Sequence, residues 1–277
     1  MRLKYLGTGA GECVPGFFCD CPTCTRSAAL GGRNIRTRFQ ALIDNKLLID
    51  FGPDTYSHII QNKLKLWEIQ TCLITHDHTD HLRAEDFELR RHKIAHFNGE
   101  RPLQVYGTAP AGNKIRPIIS EHHLDEQNRV FFHEIIPFQT FQSDGYTITP
   151  LKAEHNPKCD PVMYLIQHNG KSILLAHDTG VFPEESWSYL SSCGIVFDLI
   201  SYDCTGGVET DSGGRHMSLP INLDVRHRLE KLGVVSSQTK HCLSHFSHNG
   251  HAVYDDFVPI AEKEGFLVSY DGMEIFI

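Results

Sequence analysis

Four side chains able to bind a divalent cation fall within six residues of the run Thr75-His76-Asp77-His78-Thr79-Asp80-His81. An apolar stretch, residues 72–75, leads into it and reads as a buried strand. Where a strand ends the chain turns into a loop, so His76 and His78 can converge on one ion while Asp80 and His81, one turn on, reach a second. Two ions about 3.5 to 4 Å apart allow one hydroxide to bridge both and attack a phosphorus or carbonyl centre. A polar surface loop accounts for a lone His-x-His pair but not for the whole pattern.

A dinuclear site needs more ligands, and candidates stand just past other apolar runs. His155 follows residues 149–153, Asp178 follows 173–176 and His245 follows 240–244. Asp178 suits a bridging position because a carboxylate has two oxygens and can neutralise two cations. Taken alone, an Asp before Thr-Gly is a turn former, and His155 is a loop histidine. The company of the first run makes them ligand candidates.

A second constellation is Cys19-Asp20-Cys21-Pro22-Thr23-Cys24, read as a loop. Three thiolates in six residues suit a tetrahedral zinc site lacking one ligand. His248 supplies the fourth, since Ser244-His245-Phe246-Ser247-His248 carries two histidines and the first centre requires only one. The alternative is three unrelated reduced cysteines or a redox pair. Cys13, Cys72, Cys159, Cys193, Cys204 and Cys242 are scattered, several of them in apolar runs, and read as small buried hydrophobes.

The elements that position these groups alternate. Strands are expected at residues 42–43, 46–50, 72–75, 103–106, 130–136, 162–167, 172–176, 196–201, 240–244 and 273–277. Helical spacing appears at 53–63, 84–92, 183–191, 219–232 and 254–264. Pro53 and Pro183 fit first helical turns, and Ser218 fits an N-cap. With no internal repeat or linker, the 277 residues read as one layered α/β domain, residues 1–277, with a Cys-rich zinc loop at 13–26.

The net charge of −8 and the lack of any Lys/Arg run longer than Arg90-Arg91 disfavour nucleic acid as a partner. No stretch reaches the roughly 18 apolar residues of a membrane span, and residues 1–11 lack a signal-peptide pattern. A cytoplasmic location with reduced thiols is the expectation, and with nine Cys and 18 His, metals come before disulfides.

The order H-x-H-x-D-H, His, Asp, His, each after a strand, resembles the metallo-β-lactamase superfamily over nearly the whole chain. The resemblance implies a four-layer αββα sandwich with the metal site at one edge of its two sheets. It implies that His76, His78 and His155 hold one metal, that Asp80, His81 and His245 hold the other, and that Asp178 bridges. The Gly7-Thr8-Gly9 start, Val14-Pro15, the C-x-C-x-x-C, the H-x-x-H and the ending Asp271-Gly272-Met273-Glu274-Ile275 resemble the PhnP-like branch, the phosphoribosyl cyclic phosphodiesterases. In that branch the Cys cluster and second histidine hold a structural zinc.

This resemblance implies a metal-dependent phosphodiesterase that cleaves a small, including cyclic ribose, phosphate ester and forms a homodimer. It also implies that His216, in Gly213-Gly214-Arg215-His216-Met217-Ser218, is a general acid for the leaving alkoxide, acting beside the catalytic carboxylates Asp80 and Asp178. Imidazole and carboxylate suit Zn, Mn and Fe alike; the resemblance favours Mn at the catalytic pair and Zn at the cysteines. Residues 83–101 and 117–133 depart from the branch pattern, and Arg36, Arg38 and Lys158 are the cations near the site loops. Alternatives are a PqqB-like cofactor-biosynthesis protein, a nuclease of the same fold, for which a basic groove or tRNA-binding arm is expected, and a binding module, for which lost ligands are expected.

Overall fold

The computed structural model of the protein describes residues 1–209 and 213–277. One seven-stranded sheet runs in the order β14 (Glu274–Phe276), β1 (Arg2–Gly7), β2 (Gln40–Ile43), β3 (Leu47–Ile49), β4 (Thr71–Leu73), β5 (Leu103–Gly107), β6 (Val130–Glu134). The other runs β13 (Leu267–Val268), β12 (Lys240–Ser244), β11 (Leu199–Asp203), β10 (Lys171–Ala176), β9 (Val162–His168), β8 (Tyr146–Lys152), β7 (Phe141–Ser143). Each sheet is antiparallel through β3 or through β10 and parallel beyond it.

Strand periodicity builds the layers, because successive side chains leave a strand on opposite faces. Leu47 and Ile49 of β3 enter the core between the sheets, where they join Tyr5, Tyr164, Ile173 and Leu175, whereas Leu48 points outward. On that outer face, α3 (Ala109–Glu121) lays Ala111, Ile115 and Ile119 over Leu48, Cys72 and Val105. On the far face α4 (Glu184–Ser192), α5 (Leu219–Leu232) and α6 (Tyr254–Lys263) bring Trp187, Leu190, Val225, Leu229, Phe257 and Ala261 onto Leu174, Ile200 and Leu243. Two sheets flanked by helices give the expected αββα sandwich, with α2 (Thr55–Asn62) completing the first helical layer.

Two local readings are corrected. The Cys cluster is not all loop: α1 (Pro22–Leu30) begins within it, with Pro22 in its first turn and the Cys21 Sγ accepting from the Cys24 N–H at its N-cap. Residues 84–92 lack an α-helix and instead hold the 3-10 helix Ala84–Arg90. Helix α3 had no forecast, because Pro110, Gly112 and Pro117 weaken its helical signal; burial of its apolar stripe overrides that propensity. Among the described residues no helix is long and apolar enough to cross a membrane.

Candidate metal centre

The predicted ligands emerge from one end of the two sheets: residues 76–81 after β4, His155 after β8, Asp178 after β10 and His245 after β12. The backbone is bent to aim them. Asp50, Asp178 and His245 lie in the left-handed region, at φ of 64°, 50° and 59°, a conformation that costs roughly 1–3 kcal/mol for a non-glycine residue and recurs at functional sites. Close backbone packing seats the loops: a Cβ on Gly52 would overlap the Asp80 carbonyl oxygen, and one on Gly180 would overlap that of Gly214.

The donors form two groups around one oxygen. In the first, His76 Nε2 lies 2.9 Å from His78 Nδ1, and His78 Nδ1 lies 3.2 Å from His155 Nε2. In the second, His81 Nε2 lies 3.3 Å from Asp80 Oδ2, with His245 alongside. The Asp178 Oδ2 stands 3.1 Å from His76 Nε2, 3.2 Å from His81 Nε2 and 3.9 Å from His245 Nε2. One carboxylate oxygen thus faces both donor groups. The other, Oδ1, faces His155 and His216 at 3.2 and 3.3 Å.

These residues fit divalent metals. Ligands about 2.0–2.1 Å from a common ion at angles of roughly 90–110° lie about 2.9–3.4 Å apart, a spacing met by the 2.9–3.3 Å contacts of both groups, with His245 somewhat wider at 3.9 Å. His81 Nε2 and His245 Nε2 are buried and make no hydrogen bond among the described residues, which is costly unless a cation takes them up. Burial alone would raise the Asp178 carboxyl, but His245, His76 and His81 hold it well below the ordinary carboxylate range. Burial alone would lower His81, but Asp80 and Asp50 hold it well above the ordinary histidine range, so the carboxylates demand positive charge at this point.

The orienting partners went unforeseen. Asp50 accepts from His81 Nδ1 at 2.7 Å and from Thr75 N–H at 2.8 Å. Thr205 Oγ1 lies 2.8 Å from His245 Nδ1, and Asp203 Oδ2 lies 3.3 Å from the same nitrogen. Each partner holds its ring with Nε2 turned toward Asp178, as an orienting partner of a metal ligand would. Asp50 and Asp203 are both fully buried at strand ends, the same placement that marked Asp178 and His245 in the sequence.

His216 reaches the site, with Nδ1 3.2 Å from Asp203 Oδ2 and 3.3 Å from Asp178 Oδ1. Burial would lower it, but Asp203 and then Asp178 raise it to about 9. Of the cations near the loops, Arg36 is not on the surface: it is 1% exposed and donates to Thr8 Oγ1 and the Ser269 carbonyl. Arg38 is tied to Asp54 and the Gly11 carbonyl, and Lys158 is exposed.

The second centre is assembled from distant segments. Cys19, Cys21, Cys24 and His248 bring their ligand atoms within 4.8 Å of one another, and His248 Nδ1 lies 3.5 Å from both Cys19 Sγ and Cys21 Sγ. A tetrahedral zinc with bonds of about 2.3 Å to sulfur and 2.0–2.1 Å to nitrogen has an S···N edge of roughly 3.5 Å. The backbone N–H of Cys24 lowers the Cys21 thiol to about 6.

Two groups of donors that could hold metal ions stand at one edge of an αββα sandwich, the arrangement of the metallo-β-lactamase fold. Residues 45–242 match the beta-lactamase superfamily domain, and the chain belongs to that superfamily. Ribonuclease Z of Listeria monocytogenes serotype 4a (strain HCC23) is 25% identical over 158 residues, 56% of this chain and 46% of that protein. Ribonuclease Z of Microcystis aeruginosa is 26% identical over 155 residues, 56% and 44% of the two chains. The matches thus span about half the length of these curated relatives. Zinc-bound PqqB from Methylobacterium extorquens shares the fold at a TM-score of 0.77 and 19% identity, covering 100% of both chains. A diphosphatase of the PhnP family does so at 0.74 and 18%, covering 100% of this chain and 97% of that one.

Proposed function

We propose that this protein is a phosphodiesterase that cleaves a small phosphate ester with a pair of divalent metals held by His76, His78, His155, Asp178, Asp80, His81 and His245. The observation that carries the reading is the Asp178 Oδ2, 3.1 and 3.2 Å from a histidine nitrogen of each donor group. Bound there, Mn, Zn or Fe would activate a water nucleophile and offset charge on the phosphoryl oxygens. A cavity of about 440 Å³ opens over the two groups, within the roughly 300–1,000 Å³ that small-molecule sites occupy.

The chain's own residues supply the rest. Asp50, Thr205 and Asp203 keep the ligand histidines oriented. His216 lines the cavity and is held at Nδ1 by Asp203, so its outer nitrogen carries the proton for the departing alkoxide. Cys19, Cys21, Cys24 and His248 hold a structural zinc that braces the loop carrying His245. The shared fold with a PhnP-family diphosphatase supports the small-substrate reading. The ribonuclease Z matches support a second one, a nuclease.

The test is turnover of bis(p-nitrophenyl) phosphate by the metal-loaded protein. The wild type hydrolyses it and Asp178→Asn loses at least about 10³-fold, as removal of a central catalytic group does. No turnover by the fully metal-loaded wild type, or equal turnover by the variant, overturns the reading. Cleavage of precursor tRNA in preference to small esters selects the nuclease.

A further inference from the structure

We propose that the cavity selects phosphate diesters bearing a single negative charge and neutral or cationic substituents, and rejects those carrying a second phosphate. This rests on the phosphodiesterase reading and names its substrate class. Beyond the metal-binding groups, the wall carries the carboxylates of Glu12 and Glu209 and the neutral polar side chains of Thr205, Ser247 and Asn249. No Lys or Arg is among the described lining residues. A site built for a second phosphate would present Arg or Lys to it, as phosphate recognition ordinarily does.

Three nearby cations are committed elsewhere. Arg38 is held by Asp54 and Gly11, Arg36 is buried against Thr8 and Ser269, and Lys114 pairs with Asp77 at 3.1 Å. Glu12 is fixed in place, with Oε1 accepting from Ser247 Oγ, and Glu209 lies 3.6 Å from His251 Nε2. A phosphate dianion about 8 Å from such a carboxylate is disfavoured by at least roughly fivefold per carboxylate, the value at the dielectric of water. The hydroxyls and amide beside them suit the hydroxyls or amides of an uncharged substituent. The 5-phosphate of a phosphoribosyl cyclic phosphate finds no Lys or Arg among the described lining residues.

The experiment uses two matched pairs of compounds on the metal-loaded full chain. The first pair is adenosine 2′,3′-cyclic phosphate and its 5′-phosphorylated derivative, compared by kcat/KM. The second is adenosine 3′-monophosphate and adenosine 3′,5′-bisphosphate, compared by calorimetric binding. The expected result is a preference of about tenfold or more for the compound with fewer phosphates in both pairs, which shrinks as salt rises. In Glu12→Gln/Glu209→Gln the preference falls about tenfold. Equal or tighter binding and turnover of the more phosphorylated members, or a preference unmoved by the double substitution, overturns the proposal. If no ester is turned over, the phosphodiesterase reading fails, while the binding ratio still judges the charge preference.

Discussion

Asp50 takes a hydrogen bond from Nδ1 of His81 at 2.7 Å, and both side chains are almost wholly buried. Because Asp50 also accepts from the Thr75 N–H and hydroxyl, it ties the end of β3 to the start of the ligand loop. Asp50→Asn keeps the volume but removes the charge that fixes the ring. Metal affinity at the second donor group falls about 10- to 100-fold, as expected for an orienting partner, and chelator competition measures it. Unaltered affinity would show that the contact only supports the fold.

His216 is expected to show its role through the leaving group. In His216→Gln, diesters with poorly leaving alkoxides lose about 10²- to 10⁴-fold in kcat, the range of general acid catalysis. p-Nitrophenyl esters, whose leaving group needs no proton, lose less than about tenfold. Asp203→Asn shows the same split in weaker form. Equal losses on both ester classes would argue for a binding role instead.

The Cys centre is expected to contribute folding free energy, because a structural metal is bound only by the folded state. Cys21→Ser lowers the melting temperature and one zinc per chain is lost by elemental analysis. Strong chelation of the wild type destabilises it as well as inactivating it. Unchanged melting after verified zinc loss contradicts this role.

His58 predicts a pH dependence away from the metals. Burial, partly opposed by Asp54, lowers its pKa from 6.5 to about 4, and Nδ1 donates to Gln40 Oε1 at 2.7 Å. A neutral His58 in the folded chain faces a protonated one in the unfolded chain between these values. Its contribution is therefore complete above about pH 6.5 and declines as pH falls toward 4, by about 1–3 kcal/mol. Denaturant unfolding of wild type and His58→Gln reads this as a stability difference that narrows with acidification. A constant difference contradicts it.

Much of this was legible in the sequence because the ligands follow apolar strands, where period and position together restrict what a polar side chain can be doing. His76 to His81, His155, Asp178 and His245 were all visible on that basis; alternating helix and strand signals gave a layered α/β domain, and the αββα layering came from the family resemblance. Asp50 and Asp203 stand in the same kind of position but lack a dense local pattern, and a single acid after a strand also reads as a turn. The α3 helix was hidden by Pro110, Gly112 and Pro117, since its stability comes from packing Ala111, Ile115 and Ile119 rather than from local propensity. That Asp178 presents one oxygen to both donor groups depends on a side-chain orientation that spacing does not encode.

The central claim, that water attacks phosphorus at the Asp178-centred site, is tested most directly by following bis(p-nitrophenyl) phosphate in [18O]water by phosphorus NMR. The account predicts that the metal-loaded wild type releases a phosphate monoester carrying one 18O, with no release by Asp178→Asn. Label appearing in the p-nitrophenol rather than in the phosphate, or equal release by the variant, would contradict it.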